Sequence, residues 1–127
     1  MIVGFGSDLV EIARVRRILA RHGRFAGRVL AEAEMAAFAA MRDGAAYVAK
    51  RFAAKEAFYK AFGEPPGRAN TWHQLAVLND ASGRPRLDFG PGLAALLADR
   101  GIDRWHVTLS DEREYALACV ILESTHP

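Results

Sequence analysis

Two acids and one lysine stand where packing alone does not account for them. Glu56 and Lys60 lie in residues 45–63, AAYVAKRFAAKEAFYKAFG, a stretch without proline, with one terminal glycine and many alanines. Those features favour a helix. At helical pitch Val48, Phe52, Tyr59 and Phe62 fall on one side, and Ala54, Ala57, Phe58 and Ala61 on the other. A helix apolar on nearly all sides is a buried one. Lys50, Arg51, Lys55, Glu56 and Lys60 interrupt it, and buried charges are costly unless paired or put to use. Glu56 and Lys60, spaced i,i+4, share a face, so they form either a helix salt bridge or part of a reactive site. Asp8 sits between glycines and an aliphatic run. It is either a turn or cap residue, or a ligand or paired charge.

These residues need elements to hold them. Residues 1–12, MIVGFGSDLVEI, read as a strand, with a bulge or a close backbone approach at Gly4–Ser7. Residues 11–28 read as an amphipathic helix with Gly23 as its weak point and Ile12, Val15, Ile18 and Leu19 as its apolar stripe. Arg14, Arg17, Arg21, Arg24 and Arg28 recur along it at spacings of three and four, with Arg16 beside them and no acid between Glu11 and Glu32. Such a face is either solvated or docks an acidic partner. The arginines lack interleaved aromatics and the rest of the chain is near neutral, which argues against nucleic acid. Residues 30–41 form a second helical pattern. The long helix follows and stops at residues 63–67, GEPPG. Residues 72–80 and 84–89 read as strands around the turn at 79–83, and 91–100 as a short helix. Residues 105–110 and 115–123 read as a closing hairpin about 111–114. Strands mix with helices without regular βαβ alternation, so the predicted class is α+β, an antiparallel sheet packed around the long central helix.

At 127 residues the chain is most simply one domain, 1–127, able to bury a core without staples. With 51% hydrophobic and 25% charged residues, it has an ordinary globular composition. A net charge of +2 is too small to imply a polyanion partner. Cys119 is the only cysteine and reads as a small buried hydrophobe in a reducing compartment. No apolar run approaches a membrane span and no leader pattern opens the chain, so a cytoplasmic location without membrane partners is expected.

Four segments, taken together, resemble the holo-acyl-carrier-protein synthases, the small bacterial phosphopantetheinyl transferases. Gly6-Ser7-Asp8-Leu9-Val10-Glu11-Ile12 is similar to the family's G-[TI]-D-[IL]-V-E-I. Residues 51–63, RFAAKEAFYKAFG, are similar to R-F-A-[AV]-K-E-A-x-x-K-A-[FL]-G, and Gly83-Arg84-Pro85 to a G-[KR]-P turn. Residues 105–112, WHVTLSDE, are similar to the strand that ends in [ST]-[LI]-[SA] followed by His or Asp and then an acid. The match runs in order over essentially the whole chain. Ser7 departs from the usual threonine or isoleucine. Asp111 stands where many members carry histidine, so no histidine contact to phosphate is carried over.

The resemblance implies transfer of the phosphopantetheine arm of coenzyme A to a serine of an apo-acyl-carrier protein, in fatty acid biosynthesis, leaving adenosine 3′,5′-bisphosphate. It implies that Asp8 and Glu56 hold Mg2+, that Glu56 acts as the base toward the serine, and that Lys60 neutralises or protonates the leaving phosphate. Lys60, Arg51, Gly63, Gly83, Pro85 and Ser110 would contact coenzyme A, although Arg51 also reads as a surface charge. Arg14, Arg21 and Arg24 would grip the acidic carrier protein, and a homotrimer with sites at subunit boundaries is implied. Lys55 lies on the motif but points nearer to the apolar stripe than to Glu56. His106 reads as structural, and His22, His73 and His126 lack metal-ligand spacing. The competing readings are a magnesium-dependent hydrolase cleaving a nucleotide diphosphate with the same acids, and a non-enzymatic module whose arginine helix binds an acidic partner.

Overall fold

A computed structural model describes residues 1–63 and 71–126. The element order is β1 (Ile2–Glu11), α1 (Ile12–Arg21), α2 (Phe25–Val29), α3 (Glu32–Ala39), α4 (Ala45–Phe62), a 3-10 turn (Thr71–Gln74), β2 (Leu75–Asn79), β3 (Pro85–Phe89), α5 (Pro91–Asp99), β4 (Arg104–Asp111) and β5 (Tyr115–Glu123). The long helix is as predicted. It ends where Gly63 takes a left-handed φ of 87° and donates to Tyr59 O, a conformation that glycine adopts without penalty. Glu64, Pro65, Pro66 and Gly67 of the expected stop lie outside the described residues.

The sheet is split. Antiparallel β1, β5 and β4 form one sheet in that order, and β2 and β3 form a separate hairpin. The two are linked by an edge-on contact of Phe89 with Trp105, 4.8 Å between centroids. One face of the larger sheet packs on α4. Ala116, Ala118, Val120 and Leu122 of β5 are fully buried against a helix whose Val48, Ala49, Ala53, Ala54, Ala57 and Phe58 are also fully buried. The helical stretch over 11–28 breaks at its expected weak point, Gly23, into two helices, and Phe25 N donates to His22 O across the break. Cys119, expected in the core, is only half-buried, since it alternates onto the face of β5 that α4 does not cover.

The bulge-or-approach alternative at the start of β1 resolves largely as an approach. A Cβ on Gly4 would lie 2.1 Å from Ala61 O, and one on Gly6 2.0 Å from Ala57 O. The strand therefore runs against bare helix backbone. Two strand residues advance about 6.6 Å and four helical residues about 6 Å, so the two run in step. Asp8, two residues beyond Gly6 on the same face, comes level with the turn of α4 that carries Glu56.

Candidate active site

Asp8 and Glu56 line one cleft of about 320 Å³, together with Arg14 and the apolar side chains of Ile18, Phe25 and Phe52. Lys60 closes the group, its Nζ 3.1 Å from Asp8 Oδ1 and 3.0 Å from Ser7 O. The sequence left open a salt bridge between Glu56 and Lys60. The lysine's ion pair is instead with Asp8, which leaves Glu56 without an ion pair among the described residues. Burial lifts the Glu56 carboxyl above its ordinary range, the Asp8 charge lifts it further, and Lys60 pulls it back.

Two carboxylates repelling each other across a cleft, with one ammonium nearby, suit a hard divalent cation that takes one or two protein oxygens and completes its shell elsewhere. The strained ionisation of Glu56 is what such an ion would relieve. Among the described residues no group of three or more His, Cys, Asp or Glu could hold a metal. The shell of an ion at this cleft would therefore be completed by substrate oxygens and water.

The arginine face is divided. Arg16 pairs with Asp43 at 2.9 Å and Arg17 with Glu11 at 3.3 Å. Arg14, Arg21, Arg24 and Arg28 have no acid partner among the described residues. Arg24 and Arg28 line a second cavity, about 410 Å³, that adjoins the first through shared Ile18 and Phe25.

The remaining predicted residues lie elsewhere on the chain. Gly83, with φ 86°, occupies the β2–β3 turn, which Asp80 organises by accepting from Ser82 N and Arg84 N. Pro85 opens β3 and lines a cavity of about 280 Å³ with Arg84, Arg86, Trp105 and His106. Ser110 faces away from α4, opposite Leu117. Among the described residues, neither Pro85 nor Ser110 lines the cleft of Asp8 and Glu56. Arg51 is no surface charge: it is 4% exposed, donates to Val77 O at 3.3 Å and lies 4.0 Å over the Tyr47 ring. His106 is held by Glu123, Nε2 to Oε2 2.8 Å. Asp111 meets Lys50 at 3.4 Å.

Lys55 turns away from the cleft into the core, where it meets Glu34 at 2.6 Å. Sequence reasoning missed Glu34, one of two similar acids in the run LAEAEM. The signal was available, because a lysine written into a helix buried on all sides requires a buried acid.

The family model of the 4'-phosphopantetheinyl transferase superfamily matches residues 4–120. The holo-[acyl-carrier-protein] synthase of Azoarcus sp. is 49% identical over 125 residues, spanning 98% of this chain and 99% of that protein. The crystal structure of holo-[acyl-carrier-protein] synthase from Neisseria meningitidis aligns with a TM-score of 0.92 at 39% identity, over 98% of this chain and 100% of that one. That of the Bacillus anthracis synthase, in complex with CoA (3',5'-ADP), aligns with a TM-score of 0.82 at 33% identity, over 98% and 99%. Motifs, fold and relatives agree, and the chain belongs to the 4'-phosphopantetheinyl transferase superfamily.

Proposed function

We propose that this chain is a magnesium-dependent holo-acyl-carrier-protein synthase, moving 4′-phosphopantetheine from coenzyme A to a serine of an apo-acyl-carrier protein. The observation that carries the reading is the meeting of Asp8 and Glu56 at one cleft, with Lys60 paired to Asp8, at the foot of a helix whose Arg14, Arg21 and Arg24 have no acid partner among the described residues. The serine hydroxyl attacks the phosphorus that bears pantetheine. The bond to the bridging oxygen breaks, and adenosine 3′,5′-bisphosphate leaves. Glu56, with its raised affinity for a proton, receives the serine proton directly or through water. Lys60 lies one helical turn on and offers positive charge to the departing phosphate. Asp8 and Glu56 would hold magnesium, which supplies charge neutralisation on the diphosphate oxygens when bound.

Arg14, Arg21 and Arg24 are the carrier contacts, and salt weakens that docking by screening. Coenzyme A is held by Lys60 and Gly63 at the end of α4, by Gly83 and Pro85 at the β2–β3 turn, and by Ser110. Arg51 is assigned only a supporting place, since its guanidinium is already engaged in the core. The separation of Pro85 and Ser110 from the acids favours a site shared between subunits, as in a homotrimer. The sheet face not covered by α4 supports this, because it exposes Phe5, Leu9, Tyr115 and Leu117. The chain acts as one domain in the cytoplasm. No helix among the described residues is long and apolar enough to cross a membrane.

Mass spectrometry of an apo carrier protein incubated with this protein, coenzyme A and magnesium tests the proposal. The expected result is the gain of one phosphopantetheine by the carrier, and its loss with Asp8→Ala or Glu56→Ala while both variants still fold. Rapid release of adenosine bisphosphate from coenzyme A without carrier would favour the hydrolase instead.

A further inference from the structure

The most deeply buried charges among the described residues take no part in the proposed reaction. Lys55 and Glu34 are both fully buried. Lys55 Nζ donates to Glu34 Oε1 at 2.6 Å, to Val29 O at 2.6 Å and to Trp72 O at 3.0 Å, which uses all the protons an ammonium has. Glu34 Oε1 also accepts from Ala31 N at 2.8 Å, and its Oε2 accepts from Val77 N at 2.9 Å. One side chain of α4 is thereby tied to the end of α2, the start of α3, the 3-10 turn and β2.

A sealed network of this kind is a weak stabiliser, since desolvation offsets the attraction. What it can supply is direction. Burial alone gives α4 little, because a helix apolar all round loses little by turning about its axis or sliding along it. Gly4 and Gly6 meet Ala61 and Ala57 and hold α4 to β1 along that one face. The ion pair fixes the helix from its far side, since Lys55 lies about 120–160° around the axis from those alanines. Lys55 and Glu56 are adjacent and about 100° apart around the helix, so fixing the first aims the second.

From this we infer that Glu34 and Lys55 are positioning residues, a buried pair that sets the rotation and register of α4 so that Glu56 faces Asp8. The inference rests on the proposed use of Glu56.

The double variant Glu34→Leu/Lys55→Met replaces the pair with apolar side chains of similar size, a change that commonly preserves or raises stability. We expect it to melt at or above the native temperature and to keep its KM for coenzyme A. Its kcat should nevertheless fall by about 100-fold, the scale of a misplacement near 1 Å. Glu34→Gln keeps the shape and the contact to Lys55 while removing the charge, and should lie between the two. It carries the test if the double variant does not fold. Glu56→Ala runs beside them. Native kcat in a folded double variant or in folded Glu34→Gln, with Glu56→Ala inactive, overturns the positioning role and spares the functional reading. An active Glu56→Ala overturns both.

Discussion

Lys55 and Lys60 stand five residues apart on one helix, and each pairs with an acid from a distant element. Lys55 meets Glu34 with both side chains fully buried, and every polar atom of the pair has a partner. Lys60 meets Asp8 with 55% and 16% of their side chains exposed, and a second acid beside them has no ion pair among the described residues. Burial pushes the Lys55 ammonium below its ordinary range and the Glu56 carboxyl above it, yet only the lysine is surrounded by groups that answer its charge. Where each donor and acceptor is satisfied, charge serves the fold. Where two carboxylates face each other with one ammonium, the surplus is available to a ligand.

The sharpest way to break this contrast is to remove each lysine in turn. Lys55→Met strands the Glu34 carboxylate in the core, and we expect a loss of about 3–5 kcal/mol in denaturant unfolding. Lys60→Met removes a pair whose lysine is exposed and whose acid is partly buried, and should cost about 1 kcal/mol, while transfer falls about 100-fold. Equal effects of the two on stability would erase the distinction. Gly6→Ala tests the spacing on which the cleft depends. Its methyl group would lie 2.0 Å from Ala57 O, so β1 and α4 must part. A cost of about 1–3 kcal/mol and reduced transfer are expected, read by thermal melting and the carrier assay. The smallest effect is in the titration of Glu56, followed by carboxyl-carbon NMR. Its midpoint should lie above the ordinary 4.5, fall in Asp8→Asn as a repelling charge is lost, and rise in Lys60→Met as an attracting one is lost.

Elements that follow from local chemistry were legible in the sequence. The long helix shows in its alanines and absent proline, β1 in its β-branched residues, and the closing hairpin in its polar turn. The backbone contact behind Gly4 and Gly6 was one of two readings, because a glycine pair signals room without saying what fills it. Pairings across the chain were not legible. Asp43 engages Arg16 from 27 residues away, and the helical periodicity, which only sets Arg16 beside the stripe of Arg14 and Arg17, does not foretell that partner. Glu32 and Glu34 are likewise alike in sequence, and only the approach of α4 decides which is buried. Separation of β2 and β3 from the main sheet was hidden for the same reason, since strand pattern specifies faces but not neighbours.

The most direct test is magnesium binding in the presence of coenzyme A, measured calorimetrically on the native chain, Asp8→Asn, Glu56→Gln and the double variant. If the two carboxylates grip one ion, the native chain binds one per cleft. Each single change should then weaken binding by at least about 10-fold, and the double change should add little, as expected of residues acting as a unit. Native affinity retained in either single variant would show that the acids do not share an ion.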